Sequence, residues 1–378
     1  LLAEAFPTLN AQELQARLLA SADNSFFNQT AFIEFAPGIL HGYNQQFGHG
    51  FLDLRAALLP IGSSYVARSS GERTVLNGPV ILGGGMVGDA LSARLARRDI
   101  VVVDGLGTGF DMPASVLTAS VKVAPNPAAL MNELLAVDLT QAGDPFDLQD
   151  AFSAPLAGQK LDMDFAALSL SVLLPDQNSA APSFGLALSR DFDLGGSNLR
   201  LGLSSMREAG GFVGIQSMTP GQSISARHAG VTFDWGLPLA GAQQLRLSGS
   251  FGVAAPQGSL TDVNLSPVQY NSLRLSYGAN NFVTFGDRLS LAVGLPQAVA
   301  AGSADFILPV SRSNGSAVFE TTSVALSPTA RQLDLTLGYG VPLSRFSDVL
   351  MSVTQSLNAG NIAGQSGASA TIGWRYRF

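Results

Sequence analysis

Few residues in this chain have the types and spacing that chemistry requires. His41 and His49 are the first candidates. An imidazole works as a general base when a nucleophile and an orienting carboxylate lie within reach. Neither histidine has a recognisable partner motif nearby, so both are expected in structural or surface roles. The second candidate is Gly83-x-Gly85-x-x-Gly88, preceded by a short apolar run. An amphipathic stretch with Leu91 and Leu95 follows, then a second apolar run at 100–103 and Asp104. That order matches the dinucleotide fingerprint, with glycines for phosphate approach and a carboxylate for the ribose. A nucleotide crevice, however, needs several further strand–helix units. After Asp104 the chain offers only GLGTGFDM, a strand-like run at 117–123 and a helical stretch at 127–135. The segment is read as a small module, and no cofactor is expected. Cysteine is absent, which excludes disulfides, thiolate catalysis and cysteine-bound metal. No metal site is expected.

The elements that carry these residues are set by an unusual composition. Only 13% of the 378 residues are charged while 46% are hydrophobic, and 41 are glycine. Yet no stretch approaches the roughly 18 consecutive apolar residues of a spanning helix. Apolar residues dispersed in this way are expected to alternate along strands. A net charge of −7 argues against nucleic acid as a partner, because phosphate binding needs a basic face. The chain opens at Leu1 with no charged-then-apolar signal segment, and it is expected to be a fragment of a longer protein.

In the first sixty residues, Pro7 ends one helical pattern. Asn10 is placed to cap the next, with Glu13 completing a capping box. Ala11, Leu14, Leu18 and Ala22 share one helical face. Within FGHGFLDLRAALLP (47–60), Gly48 and Gly50 permit a tight approach, Asp53 caps, and residues 54–59 form a short helix stopped by Pro60. Residues 63–73 read as a polar linker, and 146–160 as a plug or lead-in to the region that follows.

From about residue 160, segments of alternating apolar and small residues recur between turn signals. In 332–343, Leu333, Leu335, Leu337 and Tyr339 point one way, while Asp334, Thr336 and Gly338 point the other. The same period sets Leu245 and Leu247 against Arg246, and Leu273 and Leu275 against Arg274. One face is Leu-rich with Tyr or Trp near strand ends. The other is small or polar and repeatedly carries Arg, the composition of a wet lumen. The expected fold is mainly β: an antiparallel up-and-down transmembrane β-barrel of about twelve strands, closed because lipid cannot satisfy a free strand edge. Leu333, Leu335, Leu337 and Tyr339 are expected to face lipid, and Arg246, Arg274, Asp334, Arg375 and Arg377 the lumen. In the final ATIGWRYRF, residues Ala370, Ile372, Trp374, Tyr376 and Phe378 share one face.

Two resemblances add to this reading. Gly48, Gly50, Asp53, Ala56 and Ala57 resemble the closing segment of a subtilisin-like (subtilase, peptidase S8) catalytic domain. The strand pattern of 160–378 is similar to the translocator domain of autotransporters, most clearly in 331–343, LNAGNIAGQ (357–365) and the last strand. In that family, alternating apolar residues ending on Phe mark a barrel for insertion. The resemblance implies three parts: the helical tail of a subtilase α/β domain (1–60), a linker with a small mixed module (61–159), and an outer-membrane barrel (160–378). It implies export of a serine endopeptidase passenger, displayed at the surface of a bacterium or released. Partners would be outer-membrane lipid, the barrel assembly machinery and the upstream protease. The Asp, His and Ser motifs of the family would all precede Leu1, so no catalytic residue is assigned, and this chain alone is not expected to hydrolyse peptides. The alternatives are a passive outer-membrane barrel with an inactive passenger, and a soluble secreted β-sandwich appended to a subtilase as a binding or maturation module.

Overall fold

The structure, a computed structural model, describes residues 1–121, 158–165, 168–175, 184–313 and 316–376. The helical stretch expected at 127–135, most of the lead-in at 146–160, and Arg377 and Phe378 lie outside the described residues. The chain divides into two compact units, one of residues 1–80, 95–117 and 306–322, the other of 81–94, 118–305 and 323–378. Of the residues in the expected middle module, 61–80 and 95–117 fall in the first unit and 81–94 and 118–121 in the second.

The first unit begins with helices α1 (Leu2–Ala5) and α2 (Ala11–Ala20). Asn10 caps α2 by accepting from the N–H groups of Gln12 and Glu13, and the Glu13 carboxylate reaches back to the Asn10 N–H, completing the capping box. Helix α3 (Leu54–Ala57) is capped by Asp53, whose Oδ1 accepts from the Ala56 N–H at 2.8 Å. Leu2, Phe6 and Ala57 form a small core on which Leu14, Leu18 and Phe110 pack. The unit also holds an antiparallel pair, Ala31–Ala36 with Ile39–Tyr43, and a four-stranded antiparallel sheet. That sheet orders Arg73–Val75, Tyr65–Ala67, Asp99–Val103 and Gly109–Pro113. The polar linker read at 63–73 is thus corrected: Tyr65, Val66 and Ala67 pair with 73–75 around a turn at Ser69–Gly71. The abundance of Ser, Gly and Arg marked the turn and obscured two short strands beside it.

Among the described residues, the second unit is mainly one eleven-stranded antiparallel sheet. Its strands are β1 (Gly158–Phe165), β2 (Leu168–Pro175), β3 (Phe184–Asp193), β4 (Asn198–Glu208), β5 (Ile224–Pro238) and β6 (Gln243–Gly258). They continue with β7 (Val268–Asn280), β8 (Arg288–Ala301), β9 (Leu333–Ser344), β10 (Ser347–Leu357) and β11 (Ser366–Tyr376). Spatial order follows chain order, each strand pairing with the next, so the sheet is a meander. Ser303–Ser313 and Ser316–Ala325, between β8 and β9, belong to a separate small sheet, so the alternation there does not add strands to the large one.

Connections at the two ends of the meander differ. At one end lie the short turns 194–197, 239–242, 281–287 and 345–346; at the other, the longer segments 209–223, 259–267, 302–332 and 358–365. Among the described residues, no helix is long and apolar enough to cross a membrane.

Candidate membrane-facing surface

The register of the meander places side chains of like character side by side. On β9, Leu337 pairs with Leu291 of β8 and Val353 of β10, and Leu335 with Val293 of β8, with Gln355 of β10 the polar exception beside it. Their neighbours in sequence, Thr336 and Gly338, pair with Ala292 and Ser290 of β8. Strand pleating sends these two sets to opposite faces.

Exposure then separates the faces in an inverted sense. Leu337 is 49% exposed, whereas Thr336 is 8% exposed. Along the sheet, Leu186, Leu188, Leu201, Leu203, Val231 and Trp235 are open to the surroundings. So are Phe251, Val253, Leu273, Leu275, Leu291 and Val293. Ser189, His228, Ser250, Ser276, Ser290, Ser352 and Thr354 are buried. A water-soluble protein hides its large apolar side chains, so an extended apolar surface over a buried hydroxyl-rich face is the informative departure.

Hydrogen bonds and ion pairs tie much of the buried face together. Thr336 Oγ1 meets Thr354 Oγ1 at 2.9 Å, and Ser250 Oγ meets Ser272 Oγ at 2.8 Å. Arg246 donates to Asp234 at 2.6 Å. Asp348 accepts from Arg288 at 2.9 Å and from Arg375 at 2.6 Å. Glu208, fully within this face, bonds His228 at 3.0 Å and the Val213 N–H at 2.9 Å. Removed from bulk water, such charges persist only when paired in this way.

The site residues read from the sequence take the following places. Leu335, Ala370, Ile372, Trp374 and Tyr376 are exposed, with Ile372 at 74% and Trp374 at 69%. Leu333 and Tyr339 are half-buried on the same face, and the Tyr339 hydroxyl donates to Asp287 at 2.6 Å. Arg246, Arg274, Asp334 and Arg375 are half-buried on the opposite face, where Gln332 donates to Asp334. Gly48 and Gly50 both have positive φ, and a Cβ on Gly50 would collide with the Asp23 carbonyl.

No protein-family model and no curated protein matches this chain.

The glycine-rich segment has a packing role in the second unit. Ile81–Gly84 runs parallel to Thr118–Val121 and antiparallel to Gln216–Ser217. The apolar run 100–103 lies in the other unit's sheet, so the strand–helix–strand unit of the fingerprint is not formed. Met86 and Val87 are fully buried, and the Met86 carbonyl accepts from the Val299 N–H at 2.9 Å. Gly88, at φ +56°, leaves no room for a Cβ beside the Asn361 carbonyl. Asn361 donates to the Gly85 and Gln297 carbonyls at 2.9 and 3.1 Å. Asp89, just before α4 (Ala90–Leu95), accepts from the Thr329 and Ala363 N–H groups and the Thr329 hydroxyl. The glycines allow close approach to protein backbone, and the helix start is occupied by Asp89.

Asp104 lies in the first unit and contacts Arg17, which the sequence reading passed over. Arg17 is fully buried and donates to Asp104 at 2.7 Å, to Thr108 at 3.0 Å and to the Ala57 and Leu59 carbonyls. Its guanidinium lies over the rings of Phe6 and Phe110. His41 and His49 stack on each other at 5.3 Å, with Tyr43 against His49. His41 Nε2 meets the His49 carbonyl at 3.0 Å. Burial, and then the neighbouring His41, hold the His49 pKa below the ordinary imidazole value.

Proposed function

We propose that this chain is the membrane anchor of an exported protein, its meander closed into an outer-membrane β-barrel with the leucine face against lipid. The observation that carries the reading is the inverted polarity of the sheet. In a soluble sandwich, Leu335, Leu337 and their neighbours would lie between two sheets. They are instead open, while Thr336, Ser352 and Thr354 are shielded. Hydrocarbon makes the exposed face favourable and leaves the polar face to a lumen.

Closure follows from the same physics, because the edges of β1 and β11, unpaired among the described residues, would have no partner in hydrocarbon. With eleven strands the two edges run parallel. An even-numbered antiparallel barrel needs one more strand between them. The asymmetry of the connections also suits such a barrel, with short turns on the periplasmic side and longer loops outside. The subtilase passenger and recognition by the barrel assembly machinery rest on the resemblances at 1–60 and 370–378. In that reading the parent protein hydrolyses peptide bonds through a triad lying outside this chain. The test is expression in a Gram-negative host followed by membrane fractionation and gel migration with and without boiling. The anchor reading expects outer-membrane recovery and heat-modifiable migration. Soluble recovery with unchanged migration overturns it.

A further inference from the structure

The turn 281–287, joining β7 to β8, carries three apolar side chains away from the sheet. Phe285 is 94% exposed, and Phe282 and Val283 are also open. A loose loop would fold such side chains back onto neighbouring apolar surface. This backbone is pinned from beneath by one carboxylate. Asp287 is fully buried; Oδ1 accepts from the Phe282 N–H at 2.6 Å, and Oδ2 from those of Val283 and Thr284 at 2.9 and 2.8 Å. Oδ2 also accepts from the Tyr339 hydroxyl at 2.6 Å. Asn281 and Gly286 have positive φ, and the Gly286 N–H donates to the Asn281 side chain at 2.6 Å. Asp287 is the turn's only charged side chain, and both its oxygens are engaged from within, so the turn presents an uncharged apolar tip.

Three observations indicate what covers that tip. Tyr339, which holds Asp287, belongs to the outward leucine face, so the turn is continuous with that face. At the same end, Trp374 and Tyr376 of β11 are exposed. On the neighbouring turn, exposed Arg345 lies 4.5 Å over the Phe346 ring, a cation beside apolar surface. Apolar rings with a cation at their margin complement the boundary between acyl chains and phosphate headgroups.

We propose that the 281–287 turn is a phospholipid anchor, with Phe282, Val283 and Phe285 seated at headgroup depth to fix how deeply this end of the sheet sits. This rests on the barrel reading above. The chain has no cysteine, so single sites can be spin-labelled without background. Full-length Phe285→Cys and Leu335→Cys proteins are refolded into phosphatidylethanolamine–phosphatidylglycerol vesicles. The accessibility of each label to oxygen and to a water-soluble nickel chelate is then measured. The anchor gives a shallow membrane depth at 285 and a deeper one at 335. A water-exposed label at 285 with a lipid-exposed label at 335 overturns the anchor and leaves the barrel reading standing. Water exposure at both overturns both. A second measurement places the 335 label in a Phe282→Ser, Val283→Ser, Phe285→Ser background, where all three changes fall on exposed side chains. The anchor predicts a changed depth at 335, and an unchanged depth counts against it.

Discussion

Leu335 and Thr336 are adjacent in sequence and meet opposite surroundings, one open and one buried. If the open side is hydrocarbon, a cation there is costly. Leu335→Arg should destabilise the folded protein in vesicles by about 2–4 kcal/mol. Thr336→Val keeps the side chain's shape, removes the hydroxyl pair with Thr354, and should cost about 0.5–1.5 kcal/mol. Urea titration in vesicles compares them, and equal losses would refute the assignment of faces. Arg17 presents a different residue problem. Its neighbours in sequence give it the look of a solvated position on α2, and its partners lie 40 and 87 residues away. Periodicity cannot reveal such pairing. Arg17→Ala would leave Asp104 buried without its cation, and should destabilise the first unit by roughly 3–5 kcal/mol. Arg17→Lys should restore little, because the three donors of an ammonium sit on one atom and cannot span the four acceptors that the guanidinium reaches from three nitrogens. Thermal unfolding of both variants checks this, and a Tm like that of the parent would contradict it.

At the scale of elements, the strands with strict alternation were legible because pleating converts a two-residue period into two faces. Strand β11 shows it most cleanly, with Ile372, Trp374 and Tyr376 open and Thr371, Gly373 and Arg375 less so. Capped helices α2 and α3 were legible from Asn10, Glu13 and Asp53. The strands beside Ser69–Gly71 were not, since three residues are too few to show a period. The glycine fingerprint was legible only as a pattern, because its partners, Asn361, Thr329 and Ala363, come from the far end of the chain. The 281–287 turn was also missed, since the grip of Asp287 on the preceding N–H groups is a matter of geometry. Burial alone would push the Asp287 carboxyl up, but the Tyr339 hydroxyl and the N–H groups of Thr284, Val283 and Phe282 outweigh it and hold the pKa at about 2. A carboxyl held below its unfolded value, about 3.9, stabilises the fold above that pH and loses its contribution as pH falls towards 2. The turn should therefore keep its order from neutrality to about pH 4. It should loosen near pH 2, read as increased mobility of a label at Phe285. In Asp287→Asn the same loosening should already be present at pH 7.

For the whole molecule, the decisive property belongs to its large sheet, where two kinds of surface have exchanged places: apolar side chains lie on the open face and hydroxyls and ion pairs on the buried one. A sheet of this kind is unstable in water and stable across hydrocarbon, which joins the composition, the meander and the proposed export role in one account. The chain carries its own reporters, because its two tryptophans, Trp235 and Trp374, both lie on the open face. The most direct test is the fluorescence of the unmodified protein refolded into vesicles whose acyl chains carry bromine, beside the same protein with aqueous acrylamide. The account predicts blue-shifted emission, quenched strongly by bromine and weakly by acrylamide. Emission quenched by acrylamide and indifferent to brominated lipid would contradict it.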